Sequence, residues 1–197
     1  MSLKKFGVPT VNSDATVVLM PKLQYRFSVD FINFGTGLQT ADWDQLSRNV
    51  TNISKPTLQH DEVVLDVYNS KIFMAGKHTW SPITITFRDD VNNKTSAAIN
   101  SQVNRQVNHL EQSAPAAALA YKFKMSIRSL TGENIREADA HTLDKWDLFG
   151  CYIDNINYNE AAYSASEPMT ITISVKYDNA IYEYEEFPEP DPSLATG

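Results

Sequence analysis

Four histidines (His60, His78, His109 and His141), one cysteine (Cys151), the adjacent carboxylates Asp89 and Asp90, and three tryptophans (Trp43, Trp80 and Trp146) are the side chains of this 197-residue chain whose types suit catalysis or ligand capture. A histidine works as a general base only beside a nucleophile or an orienting acid. These four lie far apart, with no HExxH and no local Ser/His/Asp signature, so only assembly in space would give a triad. Asp89 and Asp90 are neighbours in an extended segment and point opposite ways, so they read as the end of a strand and the start of a helix, where acids favour the dipole. Cys151 sits on the apolar face of a strand and reads as packing. The seven glycines make no GxGxxG or phosphate-cradling loop, and no Cys/His cluster has zinc-site spacing. No residue is assigned a catalytic, cofactor-binding or metal-ligating role, and no enzyme activity or cofactor is expected.

Composition narrows the class further. Hydrophobic residues make up 42% and charged residues 21%, the balance of a folding domain. Seventeen Lys+Arg against 24 Asp+Glu give a formal charge of -7, which disfavours the basic footprint of a non-specific nucleic-acid binder. A single cysteine forms no internal disulfide and fits a reducing compartment. The best apolar run near the N-terminus is Val17 to Met20, too short for a signal-peptide core. No segment approaches the roughly 20 apolar residues of a membrane helix.

The elements that must position these side chains are strands. Leu23 to Phe31, Val63 to Val67, Ile83 to Phe87, Tyr121 to Ile127, Phe149 to Ile153 and Met169 to Tyr177 each alternate apolar and polar residues with period two. One stretch differs: Ile99, Val103, Val107 and Leu110 fall at helical spacing, which predicts a helix from Asn93 to Gln112 with Asn92 or Asn93 as N-cap. The fold class is mainly β, an antiparallel β-barrel or sandwich with one flanking α-helix.

Between Ser54 and Lys77, Pro56 interrupts one strand, Thr57 to Tyr68 forms another, and Asn69-Ser70 turns the chain back. This hairpin carries Val63, Val64, Val67, Tyr68, Ile72, Phe73 and Met74, enough apolar surface to want cover on both faces. It is either an ordinary hairpin on the domain's own core or an arm that packs on a neighbouring subunit. The organisation is an arm at 1–20, a β-domain at 21–186, and an acidic proline-rich tail at 187–197.

The order of motifs resembles the tail-tube proteins of contractile-tailed bacteriophages. The resemblance rests on Asn52-Ile53-Ser54-Lys55-Pro56, the hairpin, Met74 to Trp80, Ile83 to Asp90 followed by the helix, and Trp146 to Ile153 with Ile156-Asn157-Tyr158 and the strand to Tyr177. It covers about residues 22 to 184, carried by the order and spacing of motifs that are each short. It implies a structural subunit that self-assembles into hexameric rings stacked as a tube. Sheath, baseplate and tail terminator proteins would be its partners, and the genome would pass through without specific binding. The implied location is the virion tail, assembled in the host cytoplasm.

Within that implication the hairpin residues Val63, Val64, Val67, Tyr68 and Ile72 are expected to stack ring on ring. Thr84, Thr86, Thr170, Thr172 and Ser174, the small uncharged faces of two strands, are expected to face the lumen, because a wall that held DNA tightly would stall it. Lys22 with Arg26, and Lys122, Lys124 and Arg128, form basic ridges better placed outside or paired with acids between subunits. The alternatives are a baseplate or tube-initiating ring, a type VI secretion or bacteriocin tube protein and, from another class, a carbohydrate-binding β-sandwich using Trp43, Trp80 or Trp146.

Overall fold

A computed structural model of the chain describes residues 21–36, 40–131, 142–164 and 166–184. The expected arm at 1–20, the tail at 187–197 and His141 lie outside the described residues. Nine strands and two α-helices are described: β1 (Phe27–Ile32), α1 (Thr40–Arg48), β2 (Val50–Ile53), β3 (Thr57–Val67), β4 (Ser70–Ser81), β5 (Ile83–Arg88), α2 (Lys94–Gln106), β6 (Phe123–Leu130), β7 (Thr142–Asn157), β8 (Thr170–Lys176) and β9 (Asn179–Tyr184).

Hydrophobic alternation builds a sandwich of two antiparallel layers that share one long strand. The first half of β7 lies between β6 and β9, with β1 beyond β6; the second half pairs β8, followed by β5 and β2. Val29, Phe31, Met125, Ile127 and Leu148 of one layer face Ile83, Ile85, Phe87, Ile171, Ile173 and Val175 of the other, all fully or nearly fully buried. Burying such side chains is worth about 1.5–3 kcal/mol each before chain entropy is counted. The sheet path runs from β1 to β2 without closing, so of the two expected architectures the sandwich is the one formed.

β7 can serve both layers because it bends at Gly150, whose φ of +67° lies in the left-handed region. The pairing of β6 with β7 shifts register across this point, between Phe123↔Cys151 and Met125↔Leu148. β8 and β9 follow the same bend as one interrupted strand, and the Asp178 amide donates to the Phe149 carbonyl at 2.9 Å where they break.

The helices close the end of the sandwich by side-chain to backbone hydrogen bonds. The Gln102 amide, completely buried, accepts from Gly35 N–H at 2.7 Å and donates to the Tyr121 carbonyl at 2.7 Å. The Gln106 amide accepts from Ile153 N–H at 2.8 Å and donates to the Ile153 carbonyl at 2.9 Å, so it stands in for a neighbouring strand at that edge of β7. Asp90 accepts from the Lys94 amide at 3.0 Å and Asp89 from the Ser96 hydroxyl at 2.8 Å, the helix-starting role read for this pair.

Four expectations are corrected. α1 is a second helix beside the single one expected; Trp43 Nε1 donates to the Phe34 carbonyl at 3.1 Å, Leu46 is buried, and Asn49 donates to Thr95 Oγ1 at 2.8 Å. α2 ends at Gln106, short of Gln112, because Val107 takes extended backbone; Leu110 is 93% exposed. β1 begins at Phe27, not Leu23, because the Arg26 amide closes a turn on the Leu23 carbonyl at 3.2 Å, which leaves Tyr25 exposed. The hairpin turn is Tyr68-Asn69, one residue earlier than expected.

Candidate functional surfaces

The residues expected to line a channel are brought together by strand pairing. Thr84 lies opposite Ser174, Thr86 opposite Thr172, and Arg88 opposite Thr170. Cross-strand partners share a face, and in these strands the other face is filled by core residues, so all five point away from the core. The neighbours extend the pattern: Asn52 pairs Thr86, and Asn155 and Asn157 pair Ser174 and Thr172. Ser54 completes the second row, its Oγ accepting from the Thr84 amide at 2.8 Å. Two rows of uncharged polar residues thus cross the four-stranded layer, Asn52–Thr86–Thr172–Asn157 and Ser54–Thr84–Ser174–Asn155. Charge enters only beyond them, at Arg88 and at Lys176, which pairs Asp154 at 3.0 Å.

The outer face of the other layer is the opposite in character. Asp147, only 5% exposed, accepts from Ser126 Oγ at 2.5 Å and meets Lys145 at 2.9 Å and Lys124 at 3.3 Å. Burial alone would raise its pKa, but the Ser126, Lys145 and Lys124 partners outweigh that and hold the carboxyl below the usual value. Asp144, on the inward side of the same strand opposite Ser129, shifts the same way: burial works against Lys22, Ser129 and Lys55, and the net direction is down. Four of the five ridge residues meet acids of their own chain: Lys22 meets Asp144, Lys122 Asp178 at 2.6 Å, Lys124 Asp147, and Arg128 Asp30, while Arg26 donates to the Thr131 carbonyl.

The hairpin β3–β4 forms a two-stranded sheet of its own. Its root is anchored where Trp80, opposite Leu58, meets Tyr177 at 5.8 Å and Trp146 at 6.4 Å between ring centroids. Beyond the root the register sorts the side chains. Val63 with Met74, Leu65 with Ile72, and Val67 with Ser70 line one face, which is apolar almost to the tip. Val64 with Phe73 lies on the opposite face, among Glu62 and the Asp66–Lys71 ion pair at 3.7 Å. Of the five residues expected to stack, Val63, Val67 and Ile72 share the apolar face, Val64 is on the mixed one, and Tyr68 is at the tip. Leu65 and Met74 complete the apolar face; neither is among those five, although Met74 is one of the hairpin's apolar residues and period two from Val63 points to Leu65.

Of the side chains first considered for chemistry, His60, His78, Trp80 and Trp146 follow one another in a chain of ring contacts at the hairpin root. His60 and His78 oppose each other on the hairpin, 6.1 Å between centroids, while His109 lies beyond α2. Among the described residues, no group of three or more His, Cys, Asp or Glu is arranged to hold a metal ion. Burial pushes the Cys151 thiol up to about 12. The tryptophans make no common platform, since Trp43 secures α1 and Trp80 meets Trp146 edge to face. No helix of the described residues is long and apolar enough to cross a membrane.

No family model and no curated protein matches the chain at the level of sequence. Solved structures do match its fold. The tube-terminating cap of the anti-feeding prophage superimposes with a TM-score of 0.61 at 15% identity, over 90% of this chain and 100% of that one. The sheath–tube complex of an extracellular contractile injection system, PVC, gives 0.60 at 12% identity, over 89% and 100%. The SPP1 tail tube gives 0.51 at 17% identity, over 84% and 80%. The chain has the tail-tube fold.

Proposed function

We propose that this chain is a structural subunit of a phage tail tube, which closes six-membered rings that stack into a channel for genome delivery. The observation that carries the reading is the hairpin. Its outer half exposes Val63, Leu65, Val67, Ile72 and Met74 on one face at 42–50% relative exposure, on an arm that a monomer leaves uncovered. An isolated two-stranded hairpin is marginally stable in water, so an apolar face of this kind calls for a partner. A neighbouring copy supplies one, in a closed assembly that also covers free strand edges. The two uncharged rows on β2, β5, β8 and β7 suit a channel wall that lets a polyanion slide, because they carry neither phosphate forks nor opposing charge.

Sheath, baseplate and terminator proteins are the remaining partners of this reading, and the virion tail, built in the host cytoplasm, its location. A second reading is a baseplate or tube-initiating ring that does not polymerise; structures of a baseplate and of a tube-terminating cap assembly share the fold as fully as the sheath–tube complex does. A tube of an injection system is the third. Negative-stain microscopy and native mass spectrometry of the purified chain at micromolar concentration separate these from a monomeric binding module. Six-fold rings and tubes are expected; rings that never stack favour the second reading, and monomer alone overturns both.

A further inference from the structure

We propose that the acidic, proline-rich tail docks in cis into a basic cleft on the open side of its own sandwich. The cleft, about 490 Å³, lies between the approach to β1 and the end of β2. Those strands are the two ends of the sheet path, so the layers are not bridged there by a strand. Leu23, Phe27 and Ile53 give it an apolar floor, and Lys22, Arg26 and Lys55 a cationic rim. Lys22, at 2.5 Å, and Lys55, at 3.9 Å, share the carboxylate of Asp144, and Arg26 donates to the Thr131 carbonyl, so among the described residues the three cations of the rim have one acid between them.

The occupant is argued from where the chain goes. β9 ends at Tyr184, directly opposite Asp144 in the register, so the chain leaves the sheet beside the carboxylate that Lys22 and Lys55 hold. At about 3.3–3.6 Å per extended residue, Glu185 and Glu186 reach the rim within one or two steps. The segment continues Phe-Pro-Glu-Pro-Asp-Pro: four acids from Glu185 to Asp191 with no base, one aromatic side chain, Phe187, for the apolar floor, and Pro188, Pro190 and Pro192 to keep it extended. Proline-fixed extended chain loses little freedom on docking. The arm at 1–20 has the wrong sign, Lys4 and Lys5 against Asp14. The segment 132–141 is the rival, with Glu133, Glu137 and Asp139 beside Arg136. A docked tail shields the edges of β1 and β2 until another copy competes for them. The cleft and the tail belong to one chain, so the inference stands or falls apart from tube formation.

The test is amide hydrogen exchange on the full chain at several dilutions, comparing wild type with a variant in which Glu185, Glu186 and Glu189 are Gln and Asp191 is Asn. Exchange at 22–27 and 52–55 should rise at least tenfold in the variant, independently of dilution, with the thermal midpoint of the core unchanged. Lys55→Glu should reproduce the rise with the tail intact. Unchanged exchange in both variants overturns the proposal. So does protection that disappears on dilution, which would place the tail on a second copy, or protection lost only when Glu133, Glu137 and Asp139 are neutralised.

Discussion

Gly150 and Asp178 face each other across the bend where β7 passes from one layer to the other, and a Cβ built on Gly150 would stand 2.1 Å from the Asp178 carboxylate. The same carboxylate holds Lys122 at 2.6 Å, so the absence of a side chain at 150 leaves room for the ion pair that ties the break between β8 and β9 to the start of β6. Gly150→Ala should destabilise the fold by about 1–3 kcal/mol, from left-handed strain together with the displaced carboxylate. Urea unfolding measures it. In an Asp178→Ala background the cost of Gly150→Ala should shrink but not vanish, because the φ strain stays and the Cβ of residue 178 is still 3.1 Å away, while the carboxylate obstruction is gone.

The acid side of the stability profile follows from Asp144 and Asp147. Both have folded-state pKa values below the usual carboxylate value, so their contribution is fully present above about pH 4, the unfolded value, and is lost as pH falls through the depressed one. Asp147→Asn should cost about 1–3 kcal/mol at pH 7, the scale for a buried, charge-assisted hydrogen bond. The gap between wild type and variant should narrow as the pH falls below about 4. Chemical denaturation at a series of pH values checks this, and a gap that stays constant down to pH 2 contradicts it.

Hairpin variants separate folding from assembly. Leu65→Asp, on the apolar face, should leave the thermal midpoint within about 1 kcal/mol of wild type in stability, the range for an exposed site, while abolishing tubes. Tyr68 has a φ of 46°, uncommon for an aromatic residue, and is fully exposed. Tyr68→Asn should therefore hold or raise stability, since asparagine tolerates left-handed backbone, yet shorten the tubes if the tip is buried by the next ring. Sedimentation and electron microscopy read the assembly side.

What the sequence made legible was the period-two core. Ile83 to Phe87 and Met169 to Tyr177 alternate so regularly that their pairing puts the Thr84, Thr86, Thr170, Thr172 and Ser174 side chains on one surface. α1 was not legible, because it is held by Trp43, Asn49 and one buried leucine rather than by an apolar stripe. α2 was overread for the converse reason: Val107 and Leu110 continue the helical spacing, but the backbone has already become extended. Val63 and Val64 were both expected to stack, with cover wanted on both faces; the register shows that the Val63 face is apolar almost to the tip whereas the Val64 face also carries Glu62, Asp66 and Lys71.

A cryo-EM reconstruction of the assembled chain, at a resolution that shows side chains, tests the central claim most directly. The account predicts an inner wall formed by the rows through Asn52, Thr84, Thr86, Thr172 and Ser174, with the Lys124–Asp147–Lys145 network on the outside and the Val63–Leu65–Val67 face of each hairpin covered by the adjoining ring. An inner wall lined by Lys124, Arg128 and Lys145, or a hairpin left bare in the assembled tube, would contradict it.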